Sequence, residues 1–191
     1  MPADPGRAPS KRADAERNRD RILAAARAAF AEPGARTSMA EIARRSGVGM
    51  ATLYRNFPGR RELLEALYTD EVDAICAAAE DKPGDTPGAA LAAWLLRFAA
   101  FFTSKHHIAS ELLADTADAH PFLSGNRDRV LAAGRPLLEA ARRAGEVRAD
   151  LTLEQILDMV IAIASINGEP GYSTPILRAA LDGLRRDRPG R

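Results

Sequence analysis

Residues 37–60, TSMAEIARRSGVGMATLYRNFPGR, hold two short helical patterns on either side of a glycine turn. Ser38 and Glu41 stand in capping-box register, in which a serine hydroxyl and a glutamate side chain satisfy free backbone donors at a helix start. The helix they open is expected to run to about Arg45, with Met39, Ile42 and Ala43 turned inward. Ser46-Gly47-Val48-Gly49 then reads as a tight turn, with Gly47 suited to the left-handed conformation that follows a helix end. A second short helix covers Met50 to Asn56 or Phe57, and Pro58-Gly59 breaks it. Leu53 and Phe57 lie four apart on an inward face. That leaves Met50, Ala51, Thr52, Tyr54, Arg55 and Asn56 for the outside.

Two short helices joined by a glycine turn and held by a preceding helix make a helix-turn-helix module. Such a module lays its second helix in the major groove of DNA while the first crosses the backbone. The residue types suit the task. Thr52 and Tyr54 offer hydroxyls to phosphate, and Arg55 reaches phosphate or a guanine edge. Arg60 puts a cation near the same strand. Thr37 and Ser38 lead into a helix whose free N–H groups also suit a phosphate. The competing reading is an ordinary all-helical core, with Tyr54 and Phe57 as packing residues.

Charge bears on that choice. The 191 residues sum to +1, which taken whole argues against a strongly basic nucleic-acid binder. Residues 1–62, however, hold 13 Lys/Arg and 7 Asp/Glu, a balance of +6, whereas residues 63–191 hold 14 and 19, a balance of −5. A basic head on an acidic body is the footprint of a phosphate-backbone binder.

Composition bounds the rest. Aromatics are 5% of the chain and alanine about a fifth, which favours helix over sheet. A single cysteine, Cys76, excludes an internal disulfide and a four-thiolate zinc site. No apolar stretch reaches the roughly 18–20 residues needed to cross a bilayer, and MPADPGRAPSKR has no apolar core of a secretory signal. A cytoplasmic, soluble, all-α protein without membrane contact is expected. Residues 1–12 read as a disordered arm, 13–59 as the DNA-binding head, 60–80 as a connecting helix and 81–187 as a helical body. The first helix, 13–32, carries Ile22, Leu23, Ala26, Ala29 and Phe30 inward and stops at Pro33-Gly34. Leu63, Leu64, Leu67, Val72, Ile75 and Cys76 form the stripe of the connecting helix. Further helices are expected over 88–105, 106–119 (ended by His120-Pro121) and 125–144 (kinked or restarted at Pro136). The last two run from the Thr152–Gln155 capping box to Ile166 and over 174–186. Nine helices result, with no repeat and no credible strand.

The stretch from Thr37 to Arg60 resembles the N-terminal domain of TetR-family transcriptional regulators. The matching residues are Ile42-Ala43, Ser46-Gly47-Val48, Thr52-Leu53-Tyr54, Phe57 and Arg60. The likeness covers residues 13–79. Beyond them it rests on helix count, length and the run AGEVRAD at 144–150. Gly59-Arg60-Arg61 departs from the more usual serine or aspartate followed by lysine; arginine keeps the charge, while glycine is a weaker cap. The resemblance implies a homodimer on a palindromic double-stranded DNA operator. It implies two recognition helices about one DNA turn apart, roughly 34–36 Å. It implies a small-molecule effector that changes the spacing of the heads through the long helix 60–79. A repressor is the family expectation.

In the family the pocket lies among helices that here cover 60–144. Tyr68, Trp94, Phe98, Phe101, Phe102 and Phe122 are the candidate ligand-binding residues, with Cys76 as a contributor; a mostly apolar pocket suits a hydrophobic effector. The same rings also serve as core anchors. A filled core around Trp94 and Phe98 would favour the alternative, a DNA-binding dimer without an effector. His107, Glu111 and Asp115 share one helical face, and His106, Asp118 and His120 lie near in sequence. This set reads as a solvated polar face before a metal site, and no metal or other cofactor is assigned. The last two helices carry more apolar surface than one core needs. Leu153, Ile156, Val160, Ile163, Ile176, Leu177 and Leu181 are the expected dimerisation residues, in a two-fold four-helix interface. No G-x-S-x-G elbow, phosphate loop or thiol–histidine pair supports an enzyme.

Overall fold

The structure is a computed structural model that describes residues 11–30, 37–81, 84–115, 119–166, 168–169 and 171–186; the side chains of 11–12, 104–107, 110–111, 113–115 and 119–120 are not described. Residues 1–10 of the expected arm and the Pro33-Gly34 stop lie outside these residues, as do the side chains of the His106–His120 set, whereas 11 and 12 already belong to the first helix. The described residues form eight helices: α1 (Lys11–Phe30), α2 (Met39–Ser46), α3 (Met50–Asn56), α4 (Arg60–Glu80), α5 (Pro87–Asp115), α6 (Ala119–Arg143), α7 (Leu153–Ala164) and α8 (Ser173–Asp182). They contain no strand, only an isolated antiparallel bridge between Val147 and Arg185. The chain divides into two compact units, residues 1–67 and 68–191.

In the first unit the buried stripe of α1, Ile22, Leu23, Ala26, Ala29 and Phe30, is accompanied by buried Ile42 and Ala43 from α2, Leu53 and Phe57 from the α3 region and Leu63, Leu64 and Leu67 from α4. Burying each large side chain stabilises by about 1.5–3 kcal/mol. The α2–α3 turn is fixed by backbone chemistry. Gly47 sits at φ +66°, its N–H bonds the Arg44 carbonyl at 3.3 Å, and the Val48 N–H bonds Ala43 at 3.2 Å. This is a Schellman closure, and the left-handed residue in it has to be small.

In the second unit α5 supplies the centre, with Leu91, Trp94, Leu95 and Phe98 all buried. The Trp94 indole N–H donates to the Ile75 carbonyl at 3.1 Å, so the one polar atom of the ring is satisfied. The helix expected to break near residue 105 instead continues to Asp115, and this is why eight helices stand where nine were expected. The polar run Thr103-Ser104-Lys105-His106-His107 contains no Pro or Gly, and buried Ile108 and Leu112 carry the inward spacing onward. Pro121 lies in the first turn of α6, where a missing N–H is harmless, rather than ending the helix before it. Pro136 does not end α6 either: it is exposed, as is Ala132, whose freed carbonyl water can reach.

The residues expected at the dimer face are unequally exposed. Leu153, Ile156, Val160, Leu177 and Leu181 are buried within the second unit's own core. Ile163 is half-buried, and Ile176 is exposed, with Ile166 and Tyr172 beside them in the exposed set. Spacing shows which residues share a face, but the choice of inward face depends on what α5 and α6 offer, and spacing does not encode that.

Candidate nucleic-acid interface

Two helices position the candidate interface. Ser38 caps α2 by accepting the Glu41 N–H at 3.2 Å. The other half of the expected capping box is not made. The Glu41 carboxylate turns away to Arg44, at 2.7 and 2.9 Å, and to Arg45, at 2.6 Å. Those hydrogen bonds, Arg44 first and Arg45 second, hold its pKa down at about 2, and the Arg44 guanidinium is raised in return. The box at Thr152–Gln155 forms in both directions.

On α3 the inward pair is Leu53, fully buried, and Phe57, 1% exposed. The opposite side presents Met50, Ala51, Tyr54 and Arg55 as exposed, with Tyr54 at 47%. Thr52 and Asn56 are half-buried: Arg55 donates to the Thr52 hydroxyl at 2.9 Å, and the Asn56 amide donates to the Thr52 carbonyl at 2.8 Å. A surface of hydroxyls, a guanidinium and a thioether is thereby presented on one short helix.

Two expected contacts sit differently. The Thr37 side chain is buried, and its hydroxyl donates to the Ala29 carbonyl at 3.2 Å, so it is withdrawn from the surface. Arg60 donates to the Thr37 carbonyl and lies over the Phe30 ring at 5.0 Å, which binds the starts of α2 and α4 to the end of α1. Residue order alone did not single out Arg19, which lies 4.7 Å over the Phe57 ring. Nor did it single out Arg21, whose guanidinium is 2.8 Å from where a Cβ on Gly47 would stand. From α1, Arg21 braces the α2–α3 turn and Arg19 the end of α3. Only their sequence-level charge hinted at them.

In the second unit the candidate ligand residues largely fill one another. Trp94 stacks on Phe98 at 6.1 Å between centroids, and Phe98 meets Phe101 at 6.1 Å. Tyr68 stands edge-on to Phe101 at 6.0 Å and to Phe122 at 5.8 Å. Burial pushes the Tyr68 phenol upward. Phe102 is half-buried. Phe101 also borders an open hollow of about 330 Å³ with Glu71, Ala74 and Arg97. Asn126, missed in the sequence, is a buried polar residue next to these rings; it donates to the Phe122 carbonyl at 3.1 Å and accepts from Arg129 at 3.2 Å. Cys76 is half-buried and its thiol is pushed upward mainly by burial. Among the described residues no group of three or more His, Cys, Asp or Glu could hold a metal ion. No helix among them is long and apolar enough to cross a membrane.

Comparison with known families finds two matches. The family described as bacterial regulatory proteins, tetR family, matches residues 22–67. The family described as transcriptional regulator SbtR-like, C-terminal domain, matches residues 86–186. Among solved structures the chain is similar to a TetR transcriptional regulator from Streptomyces coelicolor, at 34% identity over 89% of this chain and 99% of that one, with a TM-score of 0.72. It is similar to a TetR transcription regulatory protein from Mycobacterium vanbaalenii at 34% identity, 92% and 99% coverage and a TM-score of 0.72. Salmonella enterica GusR shares the fold, at 22% identity, 87% and 94% coverage and a TM-score of 0.67. Comparison with curated proteins gives no match.

Proposed function

The chain belongs to the TetR family of bacterial regulatory proteins, non-enzymatic DNA-binding transcription factors, and from that premise we propose that it is a cytoplasmic homodimeric repressor of a palindromic operator, released by a small, mostly hydrophobic effector. The observation that carries the DNA-binding part is the exposed face of α3, Met50, Ala51, Tyr54 and Arg55, presented by a head whose turn Gly47 locks. In this reading Tyr54, Thr52 and Arg55 meet phosphate or a base edge, Asn56 steadies α3, and Ser38 and the start of α2 approach the backbone. Arg60 and the carbonyl of Thr37 hold the entry to α2 and α4.

Dimerisation is assigned to the exposed apolar groups Ile166, Tyr172 and Ile176, with Ile163, half-buried against the core, at their margin. Exposed apolar side chains at the end of α7 and the start of α8 are what a two-fold partner would cover. The effector is assigned to the Tyr68, Phe101 and Phe122 edge of the aromatic cluster, which adjoins the hollow beside Phe101. One observation favours the effector-free alternative: Trp94, Phe98 and Phe101 are 0%, 5% and 8% exposed and pack on one another. Salt titration tests the phosphate contacts. The logarithm of affinity should fall linearly with that of salt, by about 0.9 per phosphate neutralised. A flat response contradicts the proposal.

A further inference from the structure

The second unit carries a cleft of about 500 Å³ that lies where α5 begins and where α6 and α8 end. Its apolar lining comes from Leu91 and Leu95 of α5, Val147 after α6, and Leu181 and Leu184 at the end of α8. All five are buried, Leu95 completely. Arg185, Arg186, Glu146 and Thr86 supply the polar lining.

The cleft is held open by bonds between distant parts of the chain. Val147 and Arg185 form the antiparallel bridge, flanked by Arg148 N–H to the Leu184 carbonyl at 2.9 Å and Arg186 N–H to the Glu146 carbonyl at 3.0 Å. On the other side the Glu146 carboxylate accepts the Thr86 hydroxyl and the Gly88 N–H, each at 2.7 Å. A Cβ on Gly88 would come within 2.5 Å of that carboxylate, so only glycine permits the approach. Glu146 is thus engaged by the first turn of α5. Arg185 faces Asp182 at 3.6 Å, with both side chains more than two-thirds exposed, and such a pair is readily exchanged for a better-placed anion.

We propose that this cleft binds a small amphipathic anion, a carboxylate on an apolar body, with the acid on the Arg185 and Arg186 guanidiniums and the body over Ala89, Ala92 and Ala144, which line the cleft above the buried leucines. The volume is within the range of small-ligand sites, roughly 300–1,000 Å³. Guanidinium–carboxylate pairs are charge-assisted and give direction, while the apolar lining gives non-directional burial. A neutral hydrophobe would cover the guanidiniums without pairing them, and a polyanion would meet the Glu146 carboxylate. The site does not depend on the DNA-binding reading.

Calorimetric titration of the full chain with decanoate and with 2-naphthoate tests it, beside decanol as the uncharged twin of the first. Wild type should bind at least one of the carboxylates and bind decanol at least tenfold more weakly than decanoate. The exposed double variant R185Q/R186Q should lose at least tenfold in carboxylate affinity with an unchanged melting temperature. A92W, which fills the cleft from a half-buried position on α5, should abolish binding. The proposal is overturned if neither carboxylate binds, if decanol binds as well as decanoate, or if R185Q/R186Q binds like wild type. Binding of R185Q/R186Q to DNA is read separately, so either result here leaves the DNA-binding reading to its own tests.

Discussion

A methyl group at position 134 would stand 2.4 Å from one ring carbon of Trp94 and 2.7 Å from another. In an exposed helix interior, Gly to Ala stabilises by about 1 kcal/mol. Here Trp94 has no exposed surface and its N–H is tied to Ile75, so the ring has nowhere to go. Overpacking costs about 1–3 kcal/mol and should win. Gly134→Ala is therefore expected to lower the urea midpoint while helical circular dichroism is kept; a raised midpoint would contradict the packing described for Trp94. The second residue-scale prediction concerns Tyr54 and Arg55, whose side chains point away from the core. Replacing both by alanine should cost about tenfold or more in operator affinity, since a base or phosphate contact is worth roughly 1–3 kcal/mol. Surface changes of this kind leave stability within about 0.5 kcal/mol. Loss of the fold, or unchanged affinity at moderate salt, would remove α3 from the recognition role.

Elements differ in how they are started. The α7 box satisfies donors in both directions, so Thr152→Ala should cost about 1 kcal/mol, read as a shift in urea midpoint. At α2 the glutamate of the same pattern is captured by two arginines. Its folded pKa of about 2 lies below the ordinary 4.5, so ionised Glu41 favours the fold. That contribution is complete above pH 4.5 and fades as pH falls towards 2. Melting curves of wild type and Glu41→Gln should therefore converge over this window; a constant separation would contradict the Glu41–Arg44–Arg45 cluster. The same elements show what was readable in advance. Ile42, Ala43, Gly47, Leu53 and Phe57 announce the head because each acts within a turn or two of chain. The continuous α5 was missed because Lys105–His107 looked like a boundary, although nothing in it breaks a helix. Spacing places Leu153, Ile156 and Val160 on one face of α7, but that this face is buried in the unit's own core depends on what α5 and α6 offer it. The cleft at Glu146 was invisible, because it depends on pairing residue 146 with 88 and 147 with 185, and periodicity does not report such distances.

At the scale of the molecule, the near-zero net charge is a sum over two unlike parts, +6 over residues 1–62 and −5 over the remainder. In a dimer the basic heads would take the DNA, while acidic bodies would disfavour binding through the wrong surface. The proposed dimer rests on few residues. Ile163→Asp with Ile176→Asp should convert a sedimenting dimer to a monomer, because each places a charge in an apolar contact at a cost of several kcal/mol. A variant that remains dimeric would move the interface elsewhere. The central claim, two α3 helices reading one operator, is tested most directly by selecting bound DNA from a random pool with the full chain. The account predicts enrichment of an inverted repeat with half-site centres about one DNA turn apart, or a whole multiple of it. Enrichment of a single unrepeated site, or no enrichment above the starting pool, would contradict it.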